Sequence, residues 1–162
     1  MKFSISNLKS QKGFTLIELL VAVGIMGLLV GGGVAAYVQF DLTQQLTQAG
    51  ESMEVFLRLA QKRAAAGEKP SSGCGTLNGY EVRVTNGGVD ALMNPICDGE
   101  TLPSADTMTL GGDLLFGNDA SFLFKVLSGG VSNPGDIDIN SWAGTHRVSV
   151  TGGGAIVNEG MQ

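Results

Sequence analysis

One carboxylate stands where carboxylates are expensive. Glu18 is the only acidic or basic side chain between Phe14 and Val38, a run of 25 mostly apolar residues. As a helix the run reaches about 38 Å, enough to cross a hydrocarbon core of about 30 Å. A carboxylate inside such a span is costly unless it is protonated or paired, so it marks a functional position. Chemistry-bearing residues are sparse in the rest of the chain. Cys74 and Cys97 are the only cysteines and His146 the only histidine, which leaves too few ligands for a zinc site. Asp136, Asp138 and Asn140 form a D-x-D-x-N run. It opens like a calcium loop, but Ser141 stands where an EF-hand needs glycine. Alternating Asp with Ile also describes a strand with one wet face. Asp113, Asn118 and Asp119 form a second oxygen cluster in a glycine-rich stretch. No nucleophile elbow, P-loop or dinucleotide fingerprint occurs. No enzyme activity and no cofactor are expected.

The elements that carry these residues follow from pattern. Lys2, Lys9 and Lys12 precede the apolar run, and no basic residue follows it until Arg58. That asymmetry keeps the N-terminus on the cytoplasmic side of the inner membrane and sends the remainder across. Beyond Tyr37 the pattern turns amphipathic. Leu42, Leu46, Ala49, Met53, Phe56 and Ala60 recur at spacings of three and four, a stripe that covers one side of a globular domain. Gly67 is placed to cap the helix and Pro70 prevents its continuation. One helix is therefore expected from Phe14 to about Ala66, in two parts: a membrane segment over 14–38 and an amphipathic segment over 39–66. Gly24, Gly27 and Gly31–Gly33 interrupt it. They read either as close-packing positions or as a place where the helix unwinds.

Residues 67–162 read as a small head domain. Most of the 25 glycines lie here, and aromatic residues are few, the signature of a turn-rich β domain. Expected strands are 80–84, 89–93 (ended by Pro95), 107–110, 121–127, 136–139, 146–151 and 155–158. Asn86-Gly87-Gly88, Gly111-Gly112, Gly129-Gly130, Asn133-Pro134-Gly135 and Gly152-Gly153-Gly154 supply turns. Cys74 and Cys97 bracket the first strand pair on the exported side, where disulfides form, and are expected to bridge. Phe116 and Trp142 fall in expected loops and read as caps on a small core, with exposed contact residues as the other reading.

The stretch Gly13-Phe14-Thr15-Leu16-Ile17-Glu18-Leu19-Leu20-Val21-Ala22-Val23, preceded by Lys12, resembles the class III signal of type IV prepilins and type II secretion pseudopilins. The resemblance covers residues 12–29 and implies an α+β pilin fold, a long N-terminal helix on a small antiparallel head. It implies that residues 1–13 are a leader, that a prepilin peptidase cuts Gly13–Phe14, and that Phe14 is N-methylated. Glu18, fifth after the cut, would take part in assembly with other pilin subunits on a membrane platform. A weaker likeness covers residues 119–158. Strand, glycine turn, hairpin and last strand follow the order of H-type minor pseudopilins and FimT-like minor pilins. DNA-binding FimT-like proteins use basic residues near the terminal glycine turn. Here Gly152–Ile156 is followed by Glu159, and His146 with Arg147 make a thin basic patch, so direct DNA binding is not expected. Some type II major pseudopilins bind calcium in C-terminal loops, which assigns no residue here.

The formal net charge is −5. Removing the three leader lysines leaves 7 basic against 15 acidic residues, a poor general binder of nucleic acid. Three functions remain open. They are a minor pilin or pseudopilin, a major pilin of a surface fibre, and a secreted ligand-binding domain. The last would follow an ordinary signal peptide cut after Val34-Ala35-Ala36, its mature chain starting near Tyr37.

Overall fold

A computed structural model describes residues 13–103, 106–127 and 130–162. Residues 1–12, which hold Lys2, Lys9, Lys12 and most of the expected leader, lie outside them, as does Gly129. Helix α1 spans Leu16–Ala66. The strands are β1 (Leu77–Val84), β2 (Asp90–Cys97), β3 (Glu100–Thr101), β4 (Asp106–Thr109), β5 (Leu115–Phe116), β6 (Ala120–Lys125), β7 (Val131–Ser132), β8 (Gly135–Ser141), β9 (Gly144–Val150) and β10 (Ile156–Met161). The chain divides into two compact units between Val38 and Gln39.

In the first unit α1 runs unbroken through Gly24, Gly27 and Gly31–Gly33. It is long and apolar enough to cross a membrane by length and composition. Its large apolar side chains from Leu16 to Val30 are exposed. An apolar surface of that extent calls for lipid or other subunits.

In the second unit the helix stripe is covered. Leu42, Leu46, Ala49, Met53, Phe56, Leu57, Ala60 and Ala64 are buried. The helix ends in a Schellman motif. Gly67 adopts a left-handed φ of 63°, its N–H reaches Ala64 O at 3.1 Å, and Glu68 N–H reaches Arg63 O at 3.0 Å. Glycine is the residue that adopts this conformation without a Cβ penalty.

Two antiparallel sheets share the core with the helix. The first has the order β3-β2-β1-β6-β7, with β4 also on β2; the second is β10-β9-β8-β5. Tyr80, Val82, Val84, Ala91, Met93, Phe122 and Phe124 come from the first; Ile137, Ile139, Val148, Val150 and Ile156 come from the second. Their alternation with outward polar residues is the period of two that the sequence displays. Segment 116–117 joins the sheets through Phe116 N–H to Gly88 O, Gly87 N–H to Phe116 O and Gly117 N–H to Asp138 O, at 2.9, 2.8 and 2.7 Å.

Three expectations need correction. Pro95 does not end β2; it pairs with Tyr80 inside it and is buried. Its carbonyl accepts Leu102 N–H at 3.0 Å on the β3 side. A residue's N–H and C=O leave an extended strand on the same side, so the missing donor faces that edge. There β4 has already stopped at Asp106, opposite Met93. Phe116 lies in a strand rather than a loop, with 1% of its surface exposed, and does close the core. Trp142 does not: it sits in the β8–β9 turn with 64% exposed.

Candidate processing and assembly segment

The residues expected to be cut, methylated and paired are consecutive with the start of α1. Gly13, Phe14 and Thr15 precede the helix, and Leu16 is its first residue. Phe14 is 83% exposed. Thr15 O accepts the N–H groups of Glu18 and Leu19 at 3.1 and 3.2 Å, and Thr15 Oγ1 accepts Glu18 N–H at 3.3 Å. Thr15 is therefore the helix N-cap, and Glu18 stands at the third helical position, the T-x-x-E spacing of a capping box. That spacing was readable in the sequence and was missed. An acidic residue in the first turn also complements the positive end of the helix dipole. The only charge in the apolar surface thus lies one turn from the residue that would become a free amine.

In the head, Cys74 and Cys97 are bonded, with Cα atoms 5.3 Å apart. The bond closes a stretch that the Asp98-Gly99 turn secures. Asp98 Oδ2 and Oδ1 accept the N–H groups of Gly75 and Thr76 at 3.0 and 2.9 Å.

The D-x-D-x-N run is strand, not loop. Asp136, Asp138 and Asn140 alternate with buried Ile137 and Ile139 in β8. Asp138 is paired with Arg147 through bonds of 2.7 and 3.1 Å, and Asn140 accepts Thr145 Oγ1 at 2.8 Å. The bidentate bond to Asp138, and then its charge, raise the Arg147 pKa further above its ordinary value. The second oxygen cluster serves as ties between loops. Asn118 bonds both Asp136 O and Asp138 N–H, at 2.8 and 2.9 Å, and Asp119 accepts Asn86 N–H at 2.9 Å. Among the described residues no group of three or more His, Cys, Asp or Glu could hold a metal ion.

The expected basic patch is not formed. His146 is buried, 2% exposed, between the second sheet and the helix at Gly50. A Cβ on Gly50 would overlap its ring. Nε2 lies 2.6 Å from Asn158 Oδ1, which also accepts Gly160 N–H at 3.2 Å. The second bond identifies that atom as the acceptor, so Nε2 carries the proton. Nδ1 is buried with no partner among the described residues. Nothing local in the sequence marks the packing of His146 on Gly50, because it is made across 96 residues.

Comparison with known proteins agrees with both ends of this description. Residues 8–34 match the family described as the prokaryotic N-terminal methylation motif. The type IV major pilin protein PilE of Neisseria gonorrhoeae is 33% identical over 100 residues, covering 52% of this chain and 57% of that one. A fimbrial protein of Pseudomonas aeruginosa is 32% identical over 62 residues, covering 38% and 40%. The minor pseudopilin EpsH from the Type 2 Secretion System of Vibrio cholerae matches in structure. Its TM-score is 0.51 at 14% identity, covering 72% of this chain and 97% of that one. In its N-terminal motif the chain is similar to type IV pilins, and in its fold it is similar to a pseudopilin. This pilin-like chain spans about half the length of the curated relatives it matches. The likeness to EpsH is one of fold: a long N-terminal helix followed by antiparallel sheets.

Proposed function

We propose that the chain is a structural subunit of a type IV pilus or type II secretion pseudopilus. A prepilin peptidase hydrolyses Gly13–Phe14 at the cytoplasmic face of the inner membrane. Water divides across the bond, leaving a carboxylate on Gly13 and an amine on Phe14; the amine then takes a methyl group from a sulfonium donor, which leaves as a thioether, and gives up a proton. The head, stapled by Cys74–Cys97, lies on the exported side. A membrane platform draws the subunit into a filament through residues 14–38, where Glu18 pairs with the amine of a neighbouring Phe14. The observation that carries this reading is the exposed apolar face from Leu16 to Val30, with its single carboxylate one turn inside the cut end. The role is structural, not catalytic.

We favour a minor subunit, because the chain shares its fold with a minor pseudopilin over 72% of its length. A major pilin is the second reading, favoured by the likeness to the gonococcal major pilin. Direct DNA binding is not proposed: Arg147 is paired with Asp138 and His146 is buried. Quantifying the protein in sheared surface filaments separates the two readings. A trace amount beside another dominant subunit supports the minor role, and dominance in the fibre refutes it. Glu18→Ala is expected to be processed normally but assembled poorly; wild-type filament yield would refute the pairing role.

A further inference from the structure

Cleavage at Gly13–Phe14 needs more than a recognisable sequence. Inside a helix a peptide bond has its N–H and C=O engaged along the axis, and in lipid those bonds are hard to break because nothing replaces them. A hydrolysed bond must be presented as open chain. In this protein the residues from Leu16 to Val23 are mostly good helix formers, and the helix they begin runs for 51 residues. Something must stop it short of the cut. Gly13 weakens a helix but does not set its boundary.

The observed boundary is Thr15. Residues 13–15 are non-helical, and the first turn is closed onto Thr15 by three hydrogen bonds from the N–H groups of Glu18 and Leu19. An N-cap residue has extended rather than helical backbone angles, so the chain before it is directed off the helix axis. We propose that Thr15 is a positioning residue for processing. As the N-cap of α1 it holds Gly13–Phe14 outside the helix, where a peptidase can take the bond as extended chain. This rests on the reading of Gly13–Phe14 as the scissile bond. It assigns Thr15 a task distinct from that of Glu18: Thr15 acts on the precursor before the cut, and Glu18 acts on the mature subunit. Alanine at residue 15 removes the capping oxygen and supplies the best helix former. The helix then extends toward Gly13, the nearest upstream residue that caps, and takes Phe14 into its first turn.

The test uses full-length precursor in membrane vesicles with added prepilin peptidase and the variants Thr15→Ala, Thr15→Ser and Thr15→Asn. Initial rates of cleavage are read from the mobility shift. Loss of a cap corresponds to about a fivefold change in where the helix starts, so Thr15→Ala should be cut about fivefold more slowly. Serine and asparagine both cap well and should stay within about twofold of wild type. Asparagine keeps the cap while changing the side chain's shape. It therefore separates capping from direct reading of the hydroxyl by the enzyme. Backbone chemical shifts of residues 13–15, in precursor solubilised in micelles, give a second readout. They should move toward helical values in Thr15→Ala alone. If the wild-type precursor is not cut between Gly13 and Phe14, the reading of the scissile bond fails. If it is cut there, three results overturn the positioning role and leave that reading standing. They are wild-type rates in Thr15→Ala, equal slowing in Thr15→Asn, and slowing without a shift of the helix start.

Discussion

Gly50→Ala sets two effects of opposite sign against each other. In a helix interior alanine is favoured over glycine by about 1 kcal/mol, so on propensity alone the change stabilises. Tertiary packing opposes it. The new Cβ would fall on the buried imidazole of His146, at Nε2 itself, the atom bonded to Asn158 Oδ1. The ring cannot swing aside without breaking that bond, and overpacking of this kind typically costs about 1–3 kcal/mol. Net destabilisation of about 1 kcal/mol is expected, by urea unfolding of the detergent-solubilised protein followed by circular dichroism. The double-mutant cycle makes the test sharp. With His146→Ala in place the obstruction is gone, and Gly50→Ala should stabilise by up to about 1 kcal/mol. The sign should therefore reverse between the two backgrounds. A stabilising Gly50→Ala in the wild-type chain, or the same sign in both backgrounds, would refute the packing of helix on sheet argued from these residues.

Three further outcomes follow from the head. Replacing Cys74 and Cys97 by serine opens a loop with a sequence separation of 23 and should lower stability by about 3 kcal/mol; an unchanged urea midpoint would contradict this. Tyr80 donates its hydroxyl to Glu68 O at 2.8 Å, and burial, followed by the Glu68 charge, raises its pKa above the ordinary 10.0. Its contribution is complete below the unfolded value and is lost as pH rises through the folded one. Stability that falls only on the alkaline side, with the step absent in Tyr80→Phe, is the expected titration. Trp142→Ala should change stability by less than about 0.5 kcal/mol, since the ring is 64% exposed; a loss above about 2 kcal/mol would show a packing role.

The parts of the fold that were legible in the sequence are those fixed by local periodicity. The stripe from Leu42 to Ala64 and the cap at Gly67 each declare themselves within a few residues, and so does the alternation from Tyr80 to Val84. So does the N-terminal segment, whose apolar run and single acid are a composition signal. The strands β3, β5 and β7 have two residues each, too few to show a period, and exist because neighbouring strands offer free edges. Pro95 misled because proline is excluded from ladders only where its N–H would be needed. Trp142 and His146 exchanged expected places. The aromatic ring stands in solvent, and the polar ring fills the space that Gly50 leaves. Neither outcome can be read without knowing which helix turn faces β9.

The central claim is that the mature chain begins at Phe14. N-terminal sequencing with intact mass measurement, on protein recovered from membranes and filaments, tests it directly. The account predicts a single N-methylated phenylalanine followed by Thr15, Leu16 and Ile17. A mature chain starting near Tyr37 would make the protein a secreted domain, and one retaining Met1 in assembled filaments would separate assembly from processing. Either contradicts the account.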